Sequence, residues 1–457
     1  MIVCKFGGTS VQDAEAMERV AGIIRRRLKE RPIVVASAMG KTTTQLLQAA
    51  QSAAKGKRAE ALDLINKLKE KHLHEAKELG LAASDGDLFD TINSLFKEIG
   101  NIIRGLCALG ELTPRSMDAM ASFGERLSTL ILTEAFLKRD IPAQLMDARQ
   151  CMITDDNFTR ATPLFDLTDA AIREQLIPVV KAGRVPVLQG FIGSTRNGIT
   201  STIGRGGSDY SAAIVGAALD AYDIQIWTDV DGIMTTDPRM VPEARRVRVI
   251  SFDEAAELAY FGARVLHPAT ILPAVRKKIP VHVLNSYRPE AEGTLITEEA
   301  PPCENPVKAI AYKKGITIIN IASTRMLMAY GFLKRIFEIF DHHRTAVDVV
   351  STSEVSVSLT LDETSALWDI ITELKRIGEV KVDGSKAIVC CVGDNLRNIP
   401  GVAHLVFSVM QDVNIHMISQ GASAINITFV VDEDRLTQVV RGLHDVFFQK
   451  LDPLIFE

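Results

Sequence analysis

The chain has 457 residues, 47% of them hydrophobic and 24% charged, and carries a formal net charge of −5. This composition fits a globular protein with sizeable cores and argues against general binding to nucleic acid or to an anionic membrane, leaving room only for a local basic site. No apolar run approaches the roughly 18 residues of a membrane span, and the opening MIVCKFGGTS lacks the succession of a signal peptide, so a cytoplasmic protein is expected.

The first two thirds alternate short apolar runs with helical patterns. Strands are predicted at 2–7, 32–38, 143–148, 185–193, 224–230 and 281–285. They lack clean polar and apolar alternation, so they read as central strands covered on both faces. Helices are predicted between them, at 14–31, 115–139 and 208–221. This order predicts an α/β sandwich on a mainly parallel sheet. Residues 55–113 are charged and helical, and read as a helical excursion from that sheet. The six cysteines form no CxxC pair, so free thiols are expected rather than a zinc site or a disulfide framework.

A break rich in proline and glutamate follows at 297–308, and beyond it the chain repeats itself. The first copy has a strand at 316–323, a helix at 331–344, strands at 346–353 and 355–362, and a helix at 366–378. The second has a strand at 386–393, a helix at 401–413, strands at 414–421 and 424–432, and a helix at 435–449. Both have the βαββα order of a ferredoxin-like unit.

Four polar or glycine-rich turns interrupt the α/β region: KFGGTS (5–10), SAMGKTTT (37–44), QGFIG (189–193) and GRGGSD (204–209). The second contains the tail of a P-loop, but Val35 occupies the place of the glycine that shapes such a loop. In an open α/β sheet, ligands gather outside the carboxyl ends of the strands, and paired glycines let backbone N–H groups approach anionic oxygens. Lys5 lies in a strand that looks buried and so needs an anionic partner, and with Gly7 and Gly8 beside it a phosphate is favoured over a structural carboxylate. Arg205 offers a planar fork suited to a carboxylate, and Asp209 fits the first turn of a helix. Gly124 costs its helix roughly 1 kcal/mol relative to alanine. A glycine there suits close approach of another group, and Glu125 beside it suits an ammonium. Ser37, Thr44, Glu125 and Arg205 together would suit a zwitterionic amino acid. Residues 226–239 read as a nucleotide-edge loop, since their spacing is not that of a calcium loop.

Together KFGGTS, the turn at 37–44, SFGE (122–125), QGFIGS (189–194), GRGGSDYSA (204–212), WTDVDGIMTTDPR (227–239) and FGARVLHPAT (261–270) resemble the aspartate kinases over nearly the whole chain. The resemblance implies an amino-acid kinase α/β sandwich over 1–297, a first ACT regulatory unit over 315–385 and a second over 386–457, joined by 307–314. It implies phosphorylation of the side-chain carboxylate of L-aspartate by ATP with Mg²⁺, and no dedicated protein metal site. Lys5 would hold the transferring phosphates, with Gly7 and Gly8 nearby, and Asp209 would orient Lys5 and the reacting groups. Ser37, Thr44, Glu125, Phe191, Arg205, Gly206 and Gly207 would take aspartate. Thr228, Asp229, Met234, Arg239 and Arg264 would face ATP.

The segment 326–359 resembles the effector site of lysine-inhibited, monofunctional members. Met326, Phe332, Leu333, Asp348, Ser353 and Glu354 would bind the effector. Two carboxylates suit lysine, with its two cations, better than threonine. ACT units imply a homodimer or a larger homo-oligomer. Two rival readings stand beside this one. The first is a kinase of the same fold acting on glutamate, acetylglutamate, carbamate or a nucleotide. The second is an inactive amino-acid sensor whose kinase half only transmits binding.

Overall fold

The computed structural model describes residues 1–82, 87–204, 206–262, 268–323 and 330–457. The chain divides into two compact units, Met1–Gly232 with Val265–Glu299, and Ile233–Arg264 with Ala300–Glu457. Residues 233–264 thus group with the second unit, where the expected first domain ran unbroken to 297.

The first unit is built on strands β1 (Ile2–Phe6), β2 (Pro32–Ala36), β3 (Ala143–Met146), β5 (Val185–Gln189), β8 (Asp223–Thr228), β10 (Val281–Asn285) and β11 (Thr294–Thr297). They run in the order β3-β5-β2-β1-β8-β10-β11, all parallel to their neighbours except β11. Every residue of β1, β2 and β5 is buried, so these runs need no polar alternation. A small sheet of β4 (Ile153–Thr154), β6 (Ile192–Thr195) and β7 (Thr200–Thr202) lies in the order β4-β6-β7. The run 185–193, expected as one strand, is broken between β5 and β6, where Phe191 takes a left-handed φ of 67°.

Helices α1 (Ala14–Arg27), α2 (Thr42–Ala54), α3 (Arg58–Glu78), α4 (Leu88–Leu109), α5 (Pro114–Lys138), α6 (Ala148–Cys151), α7 (Phe165–Lys181), α8 (Gly207–Ala218) and α10 (Leu272–Lys277) complete this unit. The helical excursion is α3 and α4, and α4 buries Ile92, Phe96, Ile99 and Ile103 in one core with α5. Thr113 caps α5 by accepting the Ser116 N–H, with Pro114 at the first helical position.

In the second unit, β9 (Val249–Ser251) and α9 (Phe252–Tyr260) precede a six-stranded antiparallel sheet. Its strands are β12 (Ala309–Ala322), β13 (Val350–Thr352), β14 (Ser356–Leu361), β15 (Glu379–Val392), β16 (Ile415–Gln420) and β17 (Asn426–Asp432), in the order β13-β14-β12-β15-β17-β16. Helices α11 (Phe332–His342), α12 (Leu367–Leu374), α13 (Val402–Ser408) and α14 (Leu436–Phe447) follow the repeat. The strand expected at 346–353 is only three residues long. All six cysteines are free. No helix among the described residues is long and apolar enough to cross a membrane.

Candidate active site

Lys5 sits near the carboxyl end of β1, paired in register with Val35 on one side and Ile226 on the other. Its side chain is 11% exposed, and its Nζ lies 2.6 Å from Asp209 Oδ1 in the first turn of α8. The residues alone favour a phosphate over a structural carboxylate as the partner of Lys5, and the resemblance adds Asp209 as the group that orients it; in this structure Asp209 holds it. The ammonium also stands against Gly7, whose missing Cβ would lie 3.5 Å from Nζ.

The neighbouring turns are drawn together by backbone contact. Gly40 donates its N–H to the Gly8 carbonyl at 3.0 Å, and a Cβ on Gly8 would lie 3.0 Å from the Gly40 carbonyl oxygen and 3.1 Å from that of Ala38. Ser37 donates from Oγ to the Ser208 hydroxyl at 2.9 Å. The N-cap of α8, Gly206, takes a left-handed φ of 72° that glycine tolerates. Gly207 packs so close to Phe191 that a Cβ would meet its ring at 2.8 Å. These contacts join Lys5 to Gly7 and Asp209, the turn of Gly8 to Ala38 and Gly40, Ser37 to Ser208, and Phe191 to Gly207.

Glu125, 4% exposed on α5, accepts the Ala38 N–H through Oε1 at 3.2 Å, and its Oε2 has no partner. Burial pushes its carboxyl up to about 8, against the pull of the Ala38 hydrogen bond. Gly124 explains how the turn reaches the helix: a Cβ there would lie 2.8 Å from both Ala38 Cβ and Thr43 Oγ1. Thr43, which sequence reasoning passed over, is thus the threonine beside Gly124, while Thr44 is exposed one position on. Ser208 was also missed; its only sequence signal was its place within the glycine-rich run.

Thr228 ends β8 half-buried, with its hydroxyl donating to the exposed Asp229 at 3.1 Å. Met234 and Arg239 belong to the second unit. Met234 bridges Arg246, and Arg239 pairs with Asp237 at 2.7 Å. The Arg239 hydrogen bonds hold Asp237 down at about 2.

Among the effector candidates, Phe332 is 7% exposed and packs in the core of the first repeat, while Leu333 beside it is largely exposed. Asp348 Oδ1 takes Lys313 Nζ at 2.9 Å, and Asp348 Oδ2 is buried without a partner. Ser353 and Glu354 are exposed between β13 and β14, with Ser353 Oγ 2.7 Å from Ser356 Oγ. Arg205, Arg264 and Met326 lie outside the described residues.

The chain is similar to known proteins over nearly its whole length. A model of the amino acid kinase family matches residues 1–285, and an ACT domain model matches 389–447. The chain is 40% identical to aspartokinase 2, chloroplastic, of Arabidopsis thaliana, covering 98% of this chain and 84% of that one. It is 40% identical to lysine-sensitive aspartokinase 3 of Escherichia coli, covering 98% and 99%. The crystal structure of E. coli aspartokinase III with aspartate and ADP superposes with a TM-score of 0.86 at 38% identity, covering 98% of this chain and 100% of that one. The same enzyme with lysine and aspartate gives a TM-score of 0.82 at 38% identity and the same coverage. With near-complete coverage on both sides, the chain belongs to the amino acid kinase family and, within it, to the aspartokinases.

Proposed function

We propose that the chain transfers the γ-phosphoryl group of Mg·ATP to the side-chain carboxylate of L-aspartate, giving 4-phospho-L-aspartate and ADP. The observation that carries this reading is the meeting of Lys5 and Asp209 beside glycine turns, with Glu125 on the neighbouring helix keeping one carboxylate oxygen unpartnered. Lys5, with Gly7 and Gly8 nearby, stabilises the transferring phosphoryl group, and Asp209 holds Lys5 in place. Glu125 takes the ammonium of aspartate, with Ser37, Thr44, Phe191, Gly206 and Gly207 around it. Thr228 and Asp229 serve ATP. Mg²⁺ enters as part of the nucleotide substrate and offsets its charge. The acceptor carboxylate is already ionised near neutral pH, so positioning and charge stabilisation carry the reaction.

The tail follows from the same reading. L-lysine, which the E. coli relative binds, inhibits through Phe332, Leu333, Asp348, Ser353 and Glu354. Ala309–Lys313 pair with Ile388–Val392, which supports assigning 307–314 to the second ACT unit. The protein works in the cytoplasm as a homodimer or larger assembly through its ACT units. The test is ADP release from Mg·ATP with and without L-aspartate, then with added L-lysine. Aspartate-dependent release blocked by lysine is expected; no aspartate dependence would overturn the reading.

A further inference from the structure

Asp118 lies on α5 seven residues before Glu125, two turns along the same helix face. It is 1% exposed. Its carboxylate accepts the Thr159 N–H at 2.9 and 3.1 Å, the Thr202 N–H at 2.9 Å and the Thr202 hydroxyl at 2.7 Å. These donors come from two stretches distant in sequence, a turn in which Thr159 takes a left-handed φ of 73°, and the end of β7.

The hold on Thr202 passes directly into the acceptor end of the site. Ile203, the next residue, donates its N–H to the Phe191 carbonyl at 3.0 Å. Gly204 packs on the other tethered stretch, for its Cβ would lie 3.4 Å from the Thr159 carbonyl oxygen. Gly207 donates its N–H to the Gly204 carbonyl at 3.1 Å, and its Cβ would meet both Ile203 and Phe191. One helix therefore carries Glu125 and, through Asp118, fixes where the chain turns toward Gly206, Gly207 and Asp209.

We propose that Asp118 is a positioning residue for the phosphoryl acceptor, setting the distance of Glu125 from Thr202–Gly204 and from Gly206 and Gly207. This rests on the aspartate kinase reading above. A purely structural staple would affect stability and the active fraction alike. A positioning residue also changes how well the acceptor is held, because small misplacements of binding groups are costly.

The test is steady-state kinetics on the full-length chain, with thermal melts alongside. Asp118→Asn turns an amide NH₂ toward donors and should raise the aspartate KM about tenfold, with the Mg·ATP KM changed less than about twofold. Thr202→Val removes one hydroxyl donor and should raise the aspartate KM about threefold, while Thr202→Ser restores it. A folded Asp118→Asn enzyme that loses only kcat or melting temperature, at unchanged aspartate KM, overturns the proposal. If Asp118→Asn does not fold, Thr202→Val against Thr202→Ser decides by the same criterion. A wild-type chain without aspartate-dependent turnover overturns both this inference and the function beneath it; an active wild type with unaffected variants overturns this inference alone.

Discussion

Lys5 and Asp209 meet at 2.6 Å, one from the end of the first strand and the other from the first turn of α8. Both side chains are almost withdrawn from water, at 11% and 15% exposure, so the ammonium is fixed before any substrate arrives. A preset charge costs no reorganisation when negative charge develops in the transition state. Lys5→Ala and Asp209→Ala should each lower kcat by about 10²–10³-fold. Normal turnover in Lys5→Ala, measured by ADP release, would remove Lys5 from the mechanism.

The Glu125 carboxyl gives a prediction with a defined sign. Its ordinary value is 4.5, and burial raises it to about 8 in the fold. Between these values the folded chain holds a proton that the unfolded chain has released, so this group makes stability fall as pH rises. Glu125→Gln lacks that contribution. Its melting temperature, relative to the wild type, should therefore rise between about pH 5 and about pH 8. Above about pH 8, where Glu125 is ionised, the same variant should raise the aspartate KM about tenfold or more, since a charge-assisted bond to the ammonium is lost. A constant difference in melting temperature across that range would mean that Glu125 ionises normally.

In the second unit, Lys308 and Glu254 form an ion pair with side chains 1% and 2% exposed, Nζ lying 2.9 Å from Oε1 and 3.0 Å from Oε2. Glu254 also closes the capping box of α9 with Ser251. Removing one partner leaves a buried charge uncompensated, so Lys308→Ala should destabilise by about 3–5 kcal/mol. Adding Glu254→Gln to it should recover part of that loss. Chemical denaturation of the two variants checks the order; equal stability would mean that Glu254 finds another partner.

Much of this was legible because it depends on local pattern. The wholly buried runs of β1, β2 and β5 announced a covered parallel sheet, and the repeated βαββα order announced the tail. The glycine turns marked the site because close backbone approach demands glycine, as Gly8 and Gly124 do here. What stayed hidden depends on partners far along the chain. Asp118 reads as an ordinary helical acid until Thr159 and Thr202, 41 and 84 residues away, are brought to it. Residues 233–264 gave no composition shift to separate them from the first unit, since the contacts that claim them, such as Lys308 to Glu254, come from much later residues. Thr43 and Thr44 are equivalent by sequence, and only the fit against Gly124 tells them apart.

The effector site offers the last test. Asp348 already has one oxygen on Lys313, which also pairs with Asp362 at 2.5 Å, so its remaining capacity for a ligand ammonium is its unpartnered Oδ2. Burial raises the Asp348 carboxyl, with Lys313 opposing, which makes it a reluctant anion. Glu354 is different: it is exposed beside the Ser353–Ser356 turn and free to close on a ligand. If lysine is the effector, Glu354 should contribute much of the recognition of its ammonium groups. Glu354→Ala should then raise the half-inhibitory lysine concentration by about tenfold or more, the loss of one charge-assisted hydrogen bond. The ratio of turnover with and without lysine, measured across a lysine titration, reads this directly. Unchanged sensitivity would remove Glu354 from the site, and insensitivity of the wild type to lysine would direct the same titration to threonine.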